Sequence, residues 1–196
     1  MLNPELILFL ESGKYNHATS LVELLLTTSK EEICNYIKEM RVGNITPGNV
    51  PQYSSLADGT TEIIKYLRMS GNFGPSFEEV GRHFLKINHN VAAYTKYGEN
   101  HSKLAGMLGV VDIYRGSRRK VYLNELGIEI EKRPIEEQED CFDKLACRIP
   151  VVQYAIQNDI YDGNEIEMLL QQYLAETTAK RRRKNTLDLI LRLRGE

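Results

Sequence analysis

SFEEVGRHFLKINHNVAAYTKYGENHSKLAGMLGVVDIYRGSRRKVYLN, residues 76–124, decides how the chain folds. It opens on a capping box, in which the Ser76 hydroxyl suits the backbone N–H three residues on and Glu79 reaches back to the Ser76 amide. Phe77, Val80, Phe84 and Leu85 then recur at helical spacing. Asn90 caps a longer helix expected to bury Val91, Tyr94, Leu104, Met107 and Leu108. A β-branched run, Val110, Val111 and Ile113, leads into the turn Arg115-Gly116-Ser117-Arg118-Arg119. Val121 and Leu123 alternate as a second strand. Two helices followed by a hairpin with a basic tip make the winged variant of the helix-turn-helix. The expected fold is mostly α with a small β-hairpin wing: a winged helix followed by a C-terminal helix-turn-helix.

The wing carries Arg115, Arg118, Arg119 and Lys120, with no acid between Ile113 and Asn124. Such a tip suits phosphate oxygens at a groove edge. Winged helices that bind only protein also have basic wings, so a merely soluble hairpin tip is the competing reading. On the helix from Asn90 to Leu108 the outward positions are Lys96, Glu99, Asn100 and Lys103, and Glu99 dilutes the basic face.

Upstream, the segment 44–59 has the composition of a linker, with Gly and Pro at positions 47, 48, 51 and 59 and no periodicity. Thr60 or Thr61 is expected to cap the first helix of a winged-helix domain over 60–133. Residues 1–43 hold three short helical stretches. The first is capped by Asn3 with Pro4 at its first position and closed by Gly13, and the third opens on a second capping box at Ser29 and Glu32. These stretches form either a packing or partner-binding region or a helix-turn-helix poor in bases.

Downstream, residues 134–196 form a C-terminal helical domain. From Glu125 to Asp143 eight acids stand against Lys132 and Arg133, a balance of −6; from Ala175 to Glu196 seven bases stand against three acids, a balance of +4. That polarity suits a molecule with one face for a polyanion. A short helix to Tyr173, a turn, and a longer helix capped by Thr177 or Thr178 give the helix-turn-helix layout. Lys180, Arg181, Arg182, Arg183 and Lys184 fall in its first two turns, where a recognition helix meets DNA. Arg can also pair with guanine O6 and N7. The plain alternative is a solvated charged helix face.

The 196 residues carry a net charge of −2, so the chain is not a basic coat for nucleic acid. Cys34, Cys141 and Cys147 form no pattern, which points to a reducing compartment rather than a disulfide framework. The four histidines lack zinc-site spacing, and no metal or cofactor is expected. No apolar run approaches the roughly 18 residues that a membrane span needs, and Met1-Leu2-Asn3-Pro4 does not open a signal peptide. A cytoplasmic protein without a membrane partner is the expectation. No Lys has an acid two residues before it, and HExxH, GxSxG and GxxxxGK[ST] are all missing, so catalysis is not expected.

Ala93-Tyr94, then Leu104-Ala105-Gly106-Met107-Leu108-Gly109-Val110-Val111, then Tyr122-Leu123-Asn124-Glu125-Leu126-Gly127, and finally Thr178-Ala179-Lys180-Arg181-Arg182 with Thr186, Leu187 and Leu191 occur in that order. Over roughly residues 60–193 this resembles the tandem winged-helix and helix-turn-helix DNA-recognition regions of type II restriction endonucleases and related restriction–modification proteins. The chain departs from them in having no Trp near the end of the last helix, where Ile190 and Leu191 stand. The resemblance implies sequence-specific duplex recognition, with a nuclease or other protein subunit carrying any catalysis. The expected DNA-binding residues are Lys96, Asn100, Lys103, Arg115, Arg118, Arg119, Lys120, Thr178 and Lys180 to Lys184. A transcription regulator, which would act as a homodimer on a palindromic site, and a protein-interaction module without DNA binding are the alternatives.

Overall fold

The computed structural model describes residues 2–53, 57–85, 89–116 and 119–196, with the backbone alone for 57 and 58. These residues form eleven α-helices and one two-stranded antiparallel sheet. They pack as two compact units, Met1–Gln52 with Asp140–Glu196, and Tyr53–Glu139.

The second unit contains α4 (Ala57–Ser70), α5 (Phe77–Phe84), α6 (Val91–Leu108), β1 (Val111–Arg115), β2 (Arg119–Leu123) and α7 (Glu125–Glu131). Helix α4 begins three residues before the expected Thr60 cap. The Ser76 capping box forms in full, with Ser76 N donating to Glu79 Oε2 at 2.7 Å and Glu79 N to Ser76 Oγ at 3.3 Å. Asn90 caps α6 by accepting from Ala93 N at 2.8 Å. Gly109, at φ 84, ends α6 in the left-handed conformation that favours glycine. Between α4 and α5, Ser76 bridges to Lys120, and Val121 N donates to Pro75 O at 2.9 Å. Three helices, a short extended segment laid on a hairpin, and the hairpin itself complete the winged-helix order.

Two glycines set how α5 and α6 cross. A Cβ on Gly81 would stand 1.9 Å from the Tyr94 carbonyl oxygen, and one on Gly98 would stand 1.9 Å from the Phe77 carbonyl oxygen. The backbones therefore touch reciprocally, where any side chain would wedge them apart. Around this contact Phe77, Val80, Tyr94, Leu104, Ala105 and Leu108 are buried, with Ile63, Ile64 and Leu67 of α4 and Val121 of the hairpin. Val91, expected in this core, is 53% exposed at the first position of α6. Met107 is only partly covered.

The first unit joins the two ends of the chain, which the sequence pattern places in separate regions. It contains α1 (Pro4–Ser12), α2 (Ala18–Thr27) and α3 (Lys30–Glu39), the end of α8 (Ile135–Leu145), a 3-10 turn (Ala146–Arg148), α9 (Pro150–Gln157), α10 (Gly163–Gln171) and α11 (Glu176–Arg194). Ile33 and Ile37 of α3 share a core with Val152 and Ile156 of α9 and Ile190 and Leu193 of α11. Amphipathic helices this short bury their apolar stripes against whatever is nearest in space, and here that is the other end of the chain. Asp143, from the acidic stretch, receives Lys30 Nζ at 2.7 Å and Arg192 Nε at 2.9 Å. Lys144 is buried and donates to Leu25 O at 2.8 Å and to Asp140.

Gly98→Ala is expected to lower the stability of the second unit by about 1–3 kcal/mol, as overpacking does. An open helix position would instead gain ~1 kcal/mol from the same change. Urea unfolding followed by circular dichroism gives the sign, and a raised midpoint would mean that α5 and α6 do not touch there.

Candidate nucleic-acid interface

The outward stripe of α6 runs through Val91, Ala92, Thr95, Lys96, Glu99, Asn100 and Lys103, spaced three and four apart; Val91, Ala92 and Lys96 are exposed and the other four partly covered. Glu99 sits at its centre. Its carboxylate receives Lys103 Nζ at 2.7 Å, Lys96 Nζ at 3.1 Å and, from the hairpin, Arg119 Nη1 at 3.5 Å. Three of the expected DNA-binding residues thus converge on the one acid of that face. Partial burial acts to raise the Glu99 pKa, but the hydrogen bonds and charges of Lys103 and Lys96 outweigh it and hold the carboxyl below its ordinary range. Arg119 also lies over the Phe77 ring, 5.9 Å from its centroid. A cleft of about 480 Å3 opens beside it, lined by Ser76, Phe77, Glu78, Thr95, Glu99 and Arg119.

The hairpin register pairs Arg115 directly with Arg119, and Tyr114 with Lys120. Strand side chains alternate between faces, so Arg115 and Arg119 share the side of Val111, Ile113 and Val121. Lys120 and Tyr114 occupy the opposite side. The basic wing is therefore split between two faces. Like charges directly opposite each other destabilise a ladder, and here Glu99 offsets part of that repulsion. Arg118 lies outside the described residues.

In the first unit the basic run of α11 also divides. Thr178 does not cap this helix: Ala175 is the N-cap residue, without a side-chain bond, and Thr178 is a partly covered residue of the first turn. The bases consequently begin one turn inside the helix. Arg182 turns inward, and its Nη1 donates to Pro47 O at 3.0 Å and Val50 O at 2.9 Å, pinning the segment between α3 and α4. Burial lowers its pKa, and the adjacent Arg181 adds repulsion. Arg183 Nη1 pairs with Glu167 Oε2 of α10 at 2.7 Å. Lys180, Arg181 and Lys184 are exposed and, among the described residues, form no ion pair. The expected site thus reduces here to three free cations on one stripe. Nothing in the sequence separates Arg182 and Arg183 from their neighbours, because their partners are 16 to 135 residues away.

Behind the exposed face of α6, His101 is buried in an aromatic stack, with ring centroids 4.6 Å from Tyr97 and 5.3 Å from Phe84. A Cβ on Gly59 would meet its ring at 2.5 Å. Among the described residues no group of His, Cys, Asp and Glu is arranged to hold a metal, and no helix is long and apolar enough to cross a membrane. No protein-family model matches the chain, and no curated protein or solved structure is significantly similar to it.

Burial drives the His101 pKa down to about 4, so the folded state holds the ring neutral while the unfolded chain protonates it near pH 6.5. Between those values the unfolded state binds more protons. Stability should therefore be full above pH 6.5 and fall by about 3 kcal/mol as the pH drops toward 4. His101→Phe should remove that part of the slope in chemical unfolding measured from pH 4 to 7, and an unchanged slope would place its source in other groups.

Proposed function

We propose that the chain is a double-stranded DNA-binding module, recognising duplex rather than cutting it, of the kind that serves a restriction–modification system. The observation that carries this is the convergence on one winged-helix face of Lys96, Asn100 and Lys103 from α6 with Arg115 and Arg119 from the hairpin. The facing pair Arg115 and Arg119 supports it further. Two opposed guanidiniums at a hairpin tip are unfavourable alone and become favourable against a phosphate, which each can hold in bidentate fashion. Val91 and Ala92 leave apolar surface at the N-terminal end of α6, the end through which a recognition helix contacts base edges, and their methyl groups suit the thymine C5-methyl. Lys180, Arg181 and Lys184 supply a second set of cations in the first unit. Met69 and Phe73, 79% and 86% exposed, favour a protein partner as well, such as a catalytic subunit.

A fluorescence-anisotropy titration with random duplex at low salt tests this, and no binding at micromolar protein would leave the protein-interaction reading. Arg115→Ala with Arg119→Ala should weaken binding and flatten the log–log salt dependence by about 0.9 for each phosphate that is no longer neutralised. Lys180→Ala, Arg181→Ala and Lys184→Ala together should do the same if α11 meets the backbone. Arg182→Ala should chiefly lower stability, because its partners belong to the chain itself. A salt slope unchanged by the first pair would remove the wing from the interface.

A further inference from the structure

The structure assigns to Glu99 the role of a built-in counter-anion that occupies the cations of the α6 face and so selects against polyanions lacking bases. This deepens the DNA reading and rests on it. Glu99 is only 19% exposed, whereas the cations around it are 40–60% exposed. The acid is therefore fixed, and the bases are the movable partners. A phosphate or sulfate that claims Lys96, Lys103 and Arg119 must take them from a carboxylate already 2.7–3.5 Å away. It also leaves that half-buried carboxylate without donors, and a stranded charge is costly. A chain of sulfates or phosphates presents no nucleobase amino group to take their place. The major groove of a duplex does, because cytosine N4 donates to a carboxylate. A duplex that puts an amino group against Glu99 can take the cations and leave the acid paired, so Glu99 makes the exchange depend on what the groove presents.

Single exposed ion pairs are weak, which keeps such an exchange within reach of a ligand. Glu99 is a positioning residue in this scheme, acting through the three cations. Glu99→Gln keeps the shape and removes the charge.

The test compares wild-type protein and Glu99→Gln on random duplex and on heparin, a sulfated polyanion without bases. The variant should bind heparin about tenfold more tightly at 0.1 M salt, because up to three weak competing pairs are gone. Its salt slope on random duplex should steepen by about 0.9, one further phosphate neutralised. Its preference for duplex over heparin should fall. Thermal unfolding confirms that the variant folds, and Glu99→Ala repeats the comparison if the glutamine variant does not. Equal heparin affinities and equal salt slopes would overturn the inference. If wild-type protein fails to bind duplex under any condition, the DNA reading fails by itself, and the heparin comparison still decides whether Glu99 restrains the cations.

Discussion

The reciprocal contact of Gly81 with the Tyr94 carbonyl and of Gly98 with the Phe77 carbonyl is the constraint on which the second unit depends. Two helices at backbone contact leave no freedom in the roll of α6 about its own axis. With that roll fixed, Tyr94, His101, Leu104, Ala105 and Leu108 turn inward, and Lys96, Glu99 and Lys103 turn outward. The hairpin follows directly from the C-cap at Gly109, and Asn124 Nδ2 ties its far end back to Gly109 O at 2.9 Å. Arg119 is brought within reach of Glu99 by this same geometry. A glycine inside a helix costs about 1 kcal/mol in propensity, so two of them facing each other mark a place where close approach outweighs helix stability.

Electrostatics is distributed differently in the two units. In the first unit the strong pairs are partly buried and structural: Asp143 joins α8 to α3 and α11, and Lys144 spans Asp140 and a backbone carbonyl of α2. Losing one partner there would strand the other away from water. In the second unit the cations of the candidate interface are exposed, and their attraction to Glu99 is screened by solvent. The acidic stretch from Glu125 to Asp143 is accordingly structural at one end. Its C-terminal end holds the first unit together, where Asp140 and Asp143 are already paired with Lys144, Lys30 and Arg192.

What the sequence makes legible is mostly what short-range chemistry decides. The capping boxes at Ser29 and Ser76 and the caps at Asn3 and Asn90 depend on atoms within three residues, and each forms where the pattern places it. The hairpin is local for the same reason. The shared core of residues 1–52 and 140–196 is not legible, because helices of similar amphipathic pattern carry no label for their partner. The split of the wing is available from strand parity, since Arg119 and Lys120 are neighbours and must face opposite ways. Val91 departs from its expected burial: at the first position of α6 it stays largely exposed although its place in the periodicity matches the core. Gly81 and Gly98 carry a usable signal, being helix-interior glycines with no turn to serve.

The run Lys180 to Lys184 illustrates why charge counts and charge availability are different quantities. Five consecutive bases on a helix sweep well over a full turn at about 100° each, so some of them must face the body of the protein. A long cation that faces inward survives only with acceptors, and Arg182 finds two backbone carbonyls where Arg183 finds Glu167. The two that bind inward are arginines, whose planar fork can satisfy several acceptors at once. The outward stripe keeps both lysines with Arg181. A contiguous basic run on a packed helix is thus part clamp and part surface. Only the surface part can exchange its counter-ions for a polyanion, and this holds equally for the three cations gathered on Glu99.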